Sequence, residues 1–587
     1  MNERHRRSSA IAMVALGFFA LSSRGARCES CPAAETGGRS ADRAAPADDL
    51  SRRTATGPAE VPLAPEGYRR PKDWKPVLYP RDLKTLAREE SSNHIARAQR
   101  LMARVDKANA EGRWHADGKS IDAHACPEWF VDAKLGIFVD WGLWSLASWC
   151  PYIPGERLYP DWYELRCGID YPKGSVFHGM KEYHEKNWGR DFQRDHFIDL
   201  FRAGRFDAPA MMKVFRECGA RYVVPFMKHH SGFCLWDSEF TFRDSVDQGP
   251  RRDLAREMAD ACRAEGMKFG FYDSQAGEWE YPILQEDGSI RMLVENERLE
   301  PLTPDMEGKA SGKVAVRDIV REYIVPQAVE FIDKYDPDIF WGDYDWTSEA
   351  ASNGSYDIAA YMYNHAEGRK EVAFNDRFGN GSPDDIEGRF TPEHPQKWLR
   401  TVRGDFFTDE WGDTSENIDP AKWHPWESCS GISKAYGNHW METEDMVMSE
   451  KEFICHFADI VARGGNLLLL VNLDPQGALV EHQRKRLLQI GAWLAKNGEA
   501  IYATRIVAPY STQKVDYTRS KDGKTVYAIV KEPSGELVLE CALAESAVVS
   551  TLDGRRLSVR REGGKTVVSV PEPYVSSSVP FVVKCTR

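Results

Sequence analysis

The stretch Tyr335–Trp346 reads YDPDIFWGDYDW. An apolar run, Ile339-Phe340-Trp341, ends in Gly342 and then two acids, Asp343 and Asp345, with Trp346 behind them. A parallel strand buried in a β/α barrel has this texture: a short apolar segment whose C-terminal end delivers a carboxylate to the barrel mouth. A carboxylate set among aromatic rings suits a sugar. The apolar face of the sugar stacks on tryptophan, and the acid stabilises or attacks a cationic anomeric carbon. The same acids could instead cap the loop or helix that follows, since aspartate is common at N-caps.

On either side of this stretch the chain repeats a helix-then-strand unit. Ala208–Cys218 leads into Tyr222–Met227, Asp253–Glu265 into Lys268–Tyr272, and Val320–Lys334 into Ile339–Trp341. Ser355–Ala366 leads into Glu371–Phe374, Glu450–Ala462 into Asn466–Val471, and Leu135–Val139 reads as a strand before them all. The pattern predicts an α/β fold, a TIM-like (β/α) barrel over 76–502 with an N-terminal helical extension around Leu83–Ala108. From 503 to 587 the texture becomes short alternating strands: Thr525–Lys531, Leu537–Cys541, Ala547–Thr551, Thr566–Val570 and Val579–Lys584. Turn pairs such as Asp553-Gly554 separate them, which predicts a C-terminal antiparallel β-sandwich. It holds no cluster of acids or histidines, so packing on the barrel or binding glycan is its expected role.

At 587 residues the chain exceeds one ordinary domain. The net charge of -13 argues against nucleic acid or an anionic membrane as partner. Eighteen tryptophans, many beside Gly, Asp or Pro, fit carbohydrate stacking, although core and interface packing accounts for most of them. Arg4-His5-Arg6-Arg7 precede the apolar stretch Ile11–Leu21, which predicts a signal peptide over 1–30 and a secreted or periplasmic protein. That stretch is too short to span a bilayer, and no later segment could form a transmembrane segment. Residues 31–75, rich in Ala, Pro, Arg and Gly, predict a disordered linker. The twelve cysteines permit disulfides but are scattered, and Cys218, Cys262 and Cys455 sit among apolar neighbours as small hydrophobes.

Several strands end in polar clusters: Asp140-Trp141-Gly142, Lys228-His229-His230, Asp273-Ser274, Gly342-Asp343 and Asn375-Asp376-Arg377. In a barrel these ends converge on one mouth. His229 and His230 could recruit Asp140 and Asp343 around a metal, but no His-x-His or His-x-x-x-His spacing supports it, so no metal and no cofactor are expected.

Further motifs run in a fixed order along most of the chain. They include Trp129–Lys134 followed by Gly136-Ile137-Phe138, KHHSGFCLW at Lys228–Trp236, and Ser245-Val246-Asp247 with Gly249-Pro250 and Arg252-Asp253-Leu254. Asn375-Asp376-Arg377, Pro425-Trp426-Glu427 and Gly464–Leu469 complete the set. With these motifs the chain resembles the α-L-fucosidases of glycoside hydrolase family 29, from about Trp129 to Tyr502. The resemblance implies an exported retaining exo-glycosidase that cleaves terminal α-L-fucosyl residues from a fucosylated oligosaccharide or polysaccharide through a covalent glycosyl-enzyme.

Carried over position by position, Asp343 would be the nucleophile and Glu410, in Asp405–Glu410, the acid/base. Thr391-Pro392-Glu393 supplies a rival in Glu393, and Glu427 is a third candidate, read as structural or as a pocket wall. Trp162, His229, His230, Tyr272 and Arg377 align with sugar-contacting positions, and Trp426 is counted with them. Asp161 stands where the family often has Glu. Where the family reads IHWG, this chain reads Val139-Asp140-Trp141-Gly142, so Asp140 replaces a sugar-touching His. It keeps an acceptor, adds a negative charge and removes a donor. Asp140 is therefore expected in the pocket near Asp343, with consequences for sugar preference. The alternatives are a catalytically weakened glycan-binding protein on the same fold, an α-L-galactosidase-like relative and, third, a metal-dependent hydrolase.

Overall fold

A computed structural model describes residues 61–75, 83–153, 156–173, 175–274, 280–294, 298–302, 314–343, 350–377, 404–410 and 423–587. Its centre is an eight-stranded parallel sheet. The strands are β1 Leu135–Asp140, β2 Tyr222–Lys228 and β3 Lys268–Asp273, then β7 Ile339–Gly342 and β8 Ala373–Phe374, and finally β9 Phe407–Glu410, β10 Trp426–Gly431 and β11 Asn466–Asn472. Between β3 and β7 the chain makes an antiparallel excursion, β4 Glu280–Leu284, β5 Ile290–Val294 and β6 Arg298–Pro301. Each barrel strand pairs with the next in sequence, and β11 returns to β1 with Leu467 opposite Leu135. A parallel bridge between Asn375 and Phe406 joins β8 to β9, and Asp405 N donates to Phe374 O at 2.8 Å. The ring is thereby closed, which leaves no barrel edge open to another chain.

Closure brings two backbones very close. Gly404 has φ +53°, and a Cβ there would lie 2.4 Å from Asn375 O. Inside the barrel one aromatic ring from each of four neighbouring strands forms a layer. Phe138 lies 4.6 Å from Phe226 and 4.9 Å from Trp341, and Tyr272 stacks on Phe226 at 4.1 Å. Such pairs contribute about 0.5–1.5 kcal/mol each beyond their buried area.

The outer helices have recognisable starts. Asp207 caps Ala208–Cys218 through Ala210 N, Asp253 caps Leu254–Ala264 through Arg256 N, and Ser449 with Glu452 forms a capping box on Glu450–Ala462. The single helix expected over Val320–Lys334 is instead a π-helical turn, Val320–Ile324, followed by an α-helix, Val325–Tyr335. Pro326 lacks an N–H for the α-helical ladder, which explains the change of winding just before it. The strand expected over Glu371–Phe374 shortens to Ala373–Phe374.

The linker expected over 31–75 is corrected at its end. Val61 and Ala64 are buried, Asn187 bonds Ala64 N at 2.7 Å and Pro62 O at 3.1 Å, and Trp74 packs 4.8 Å from Phe192. Low-complexity composition hid these few anchoring side chains.

The C-terminal strands form two antiparallel sheets, of five and three strands. Tyr517 and Val583 of the larger sheet share one apolar core with Leu537 and Val568 of the smaller, so the sheets face each other. Three of these strands, Thr504–Ser511, Val515–Ser520 and Val559–Glu562, were not expected; the last is exposed throughout and has no apolar alternation to find. Arg505 ties this unit to the barrel through Asp132 at 2.7 Å and Glu128 at 3.1 Å. Among the described residues no helix is long and apolar enough to cross a membrane.

The closure point should be sensitive to one methyl group. Gly404→Ala should destabilise the protein by roughly 2–4 kcal/mol, from left-handed strain plus a backbone clash. Gly554→Ala, with φ +87° but nothing within 4 Å, should cost only about 1 kcal/mol. Thermal unfolding midpoints of the two variants compare them directly; equal midpoints would mean that the closure is slack.

Candidate active site

At the C-terminal ends of the barrel strands lies a cavity of about 340 Å³, the size of small ligand pockets. Asn375-Asp376-Arg377, at the end of β8, organises it. The Asn375 amide brackets one residue at the end of β7: Gly342 N donates to its Oδ1 at 3.0 Å and its Nδ2 donates to Gly342 O at 2.9 Å. Asp376 Oδ1 accepts from Thr408 N at 2.9 Å and Thr408 Oγ1 at 2.8 Å, fixing β9. Arg377 then joins the acids that follow these strands. Its Nε and Nη2 reach Asp343 Oδ1 at 2.9 and 2.8 Å, and its Nη1 lies 3.4 Å from Glu410 Oε2.

The second Asp343 oxygen accepts from Tyr272 OH at 2.7 Å. Both its oxygens are thus oriented, and its side chain is only 14% exposed. Glu410 has the longer contact and is 35% exposed, so it is held less tightly. Glu393 lies outside the described residues, as do Asp345 and Trp346.

The opposite wall is polar but uncharged in character. Burial drives His229 down to about 3, and burial with the adjacent His229 lowers His230 well below the usual histidine range. Both imidazoles are therefore neutral at working pH, each offering one N–H and one acceptor. His229 Nε2 lies 3.6 Å from Asp161 Oδ2, a contact too long for a hydrogen bond and, with a neutral ring, not an ion pair. Burial and the neighbouring Asp140 push Asp161 well above the usual carboxyl range. Asp161 Oδ1 and His229 Nδ1 have no hydrogen-bond partner in the described structure. Trp162 lines the same cavity.

Two expected pocket residues lie elsewhere. Trp426 begins β10, at the opposite end of the barrel from the strand ends that build the cavity; its Nε1 donates to Arg463 O at 3.2 Å and its ring packs against Gly465. The Pro-Trp-Glu motif serves packing at that position. Asp140 ends β1 but does not line the cavity. It is wholly buried, and Trp144 Nε1 donates to its Oδ1 at 2.7 Å. The Trp144 ring also lies 4.9 Å from the ring of His229, which lines the cavity. Glu427 is structural: buried in the barrel, it accepts from Trp341 Nε1 at 2.9 Å and from Tyr222 OH. Lys228 and Asp273 pair with each other at 3.2 Å.

Tyr159, Phe177, Cys429 and Tyr436 also line the cavity and were not found in the sequence. Tyr436 OH donates to Cys429 O at 2.9 Å, a contact across a loop that no local motif encodes. Among the described residues no three His, Cys, Asp or Glu side chains are grouped to hold a metal ion.

Known proteins resemble this chain in sequence and in fold. The sequence model of the family described as Alpha-L-fucosidase matches residues 101–499. The chain is 31% identical over 443 residues to human plasma alpha-L-fucosidase, covering 74% of this chain and 82% of that protein. It is 28% identical over 476 residues to the Dictyostelium discoideum alpha-L-fucosidase, covering 79% and 90%. The crystal structure of Thermotoga maritima alpha-fucosidase in complex with fucose superposes with a TM-score of 0.61 at 28% identity, over 81% of this chain and all of that one.

Asp140 should impose a pH dependence on stability. Burial raises its carboxyl from 3.8 to about 7, against the opposing Trp144 hydrogen bond. The folded state therefore holds a proton that the unfolded state has released between about pH 4 and 7, so stability falls as pH rises through this window. Asp140→Asn, which cannot ionise, should match wild type near pH 4 and exceed it by about 4 kcal/mol at pH 8. Parallel denaturant titrations at the two pH values measure this; an Asn variant less stable at pH 8 would contradict it.

Proposed function

The chain belongs to the α-L-fucosidase family of glycoside hydrolases, and from that premise we propose that Asp343 is its nucleophile and Glu410 its acid/base. It is a hydrolase of terminal α-L-fucosyl residues on fucosylated glycans. The observation that carries the assignment is the Arg377 guanidinium shared between Asp343 and Glu410.

The shared cation suits a retaining double displacement. In the first step the Asp343 carboxylate attacks the anomeric carbon while Glu410 protonates the glycosidic oxygen, and the C–O bond to the aglycone breaks. The negative charge on Asp343 disappears into the ester as Glu410 becomes a carboxylate. In the second step Glu410 takes a proton from water, the water oxygen attacks the anomeric carbon, and the ester bond breaks. Two inversions give retention. Throughout, Arg377 faces one full negative charge, first on one acid and then on the other. Preorganised charge of this kind stabilises a transition state without reorganisation at the moment of reaction.

The other wall reads hydroxyls. Neutral His229 and His230 supply both donors and acceptors, and among the described residues Asp161 Oδ1 has no hydrogen-bond partner. Apolar surface from Phe138, Phe226 and Trp341 suits a 6-deoxy sugar better than one with a hydroxymethyl group, which favours the fucoside over the galactoside. Both proposed acids contact Arg377, which favours an enzyme over a glycan-binding protein. Export rests on the basic-then-apolar N-terminus, which lies outside the described residues.

Asp343→Gly should lower kcat on an aryl α-L-fucoside by about a thousandfold or more, with the fold intact. Azide should restore part of the rate and yield the inverted β-azide, because the anion fills the carboxylate's place. Wild-type turnover by this variant would remove the assignment. Glu410→Ala should hurt substrates with poor leaving groups about a hundredfold more than α-L-fucosyl fluoride, whose leaving group needs no proton. Equal losses on both would move the acid/base role elsewhere.

A further inference from the structure

The cavity holds about one sugar ring, and Trp162, on one side of it, carries further aromatic contacts. Val176 and Phe177 line the cavity itself. Beyond them comes a stacked set built on one cation. The Arg166 guanidinium lies 4.7 Å from the Trp162 ring and 5.4 Å from the Phe177 ring, and its Nη1 donates to Tyr171 OH at 2.9 Å. Tyr171 and Phe177 are 5.4 Å apart with their planes tilted by 52°. His178 Nδ1 bonds Tyr171 O at 2.7 Å, which pins the backbone of this turn.

These rings are only half buried, and neighbouring Ile169 is 41% exposed. Aromatic surface held rigid and half open beside a binding cavity marks a contact site. Its conformational cost is already met in the free protein, so a partner ring gains the full stacking contact. The occupant follows from continuity. Phe177 touches both the cavity and Tyr171, so whatever is bonded to the sugar in the cavity can extend onto Tyr171.

Resting on the fucosidase reading above, we propose that the Tyr171–Phe177 edge is the subsite for the sugar to which the cleaved fucose is attached. The apolar C–H face of that pyranose stacks on the tyrosine, and Arg166 holds the ring in place. The enzyme is thereby matched to fucosylated oligosaccharides rather than to fucosides of small aglycones.

The test compares two substrates in the full-length enzyme. An α-L-fucosyl disaccharide fills the subsite, and α-L-fucosyl fluoride does not reach it. Tyr171→Ala should lower kcat/KM on the disaccharide about tenfold, mostly through KM, and leave the fluoride within about twofold. Tyr171→Phe keeps the ring and should stay within about threefold of wild type on both. The fluoride rate also reports whether Tyr171→Ala still folds. Equal loss on both substrates, or no loss on either, would overturn the subsite. A wild-type protein inert toward fluoride and disaccharide alike would overturn the fucosidase reading instead.

Discussion

The mouth of this barrel depends on three consecutive side chains. Asn375 holds both backbone groups of Gly342, the last residue of β7, Asp376 holds the start of β9, and Arg377 spans the acids that those two strands present. Each bond is charge-assisted or buried, so each is worth more than a surface contact and costs more when one partner is lost. The tripeptide sits where the ring closes, beside the Asn375–Phe406 bridge. Closing the barrel and aligning the acids are therefore one structural event. A loosened closure would misplace Asp343 and Glu410 relative to each other, and a displacement of about 1 Å can cost a hundredfold in rate.

Beneath the acids, the aromatic layer of Phe138, Phe226, Tyr272 and Trp341 sets a dry floor. Its polar edges are all tied down. Tyr272 OH points up to Asp343, and Trp341 Nε1 points to buried Glu427. Burial raises Glu427 to about 7, against the hydrogen bonds from Tyr222 and Trp341. In this low-dielectric setting the histidines lose their charge and Arg377 keeps its partners. Among the described residues, the guanidinium and its two acids then dominate the field at the anomeric carbon. A charged His229 or His230 would compete with that arrangement, and burial prevents it.

Much of this was legible in the sequence, for identifiable reasons. Strands β1, β2, β3, β7 and β11 are apolar runs after amphipathic helices, and the structure places them within a residue or two of expectation. Strands β9 and β10 were missed because they are polar yet buried: Thr408, Glu427 and Ser430 bond other protein groups rather than water. Periodicity cannot signal a strand whose inward face is hydrogen-bonded. Asp343, Glu410, Tyr272, Arg377 and the two histidines were read from strand ends and motifs, and the fold brings them together. Asp140 was misplaced because a motif gives a position along a strand, not depth, and Trp426 because the strand that it begins was not read. Asp140 is buried against Trp144 Nε1, and Trp426 lies at the far end of its strand. Tyr159, Phe177 and Tyr436 come from loops whose approach to the mouth is a tertiary fact.

The most direct test of this account is the site of covalent labelling. A 2-deoxy-2-fluoro-α-L-fucosyl fluoride slows both chemical steps but carries a leaving group good enough for the first, so the glycosyl-enzyme should accumulate. Peptide fragmentation by mass spectrometry then locates the sugar. The account predicts one label, on Asp343, formed as activity is lost. A label on Asp345, Glu410 or Glu427, or time-dependent turnover of the reagent with no label at all, would contradict it.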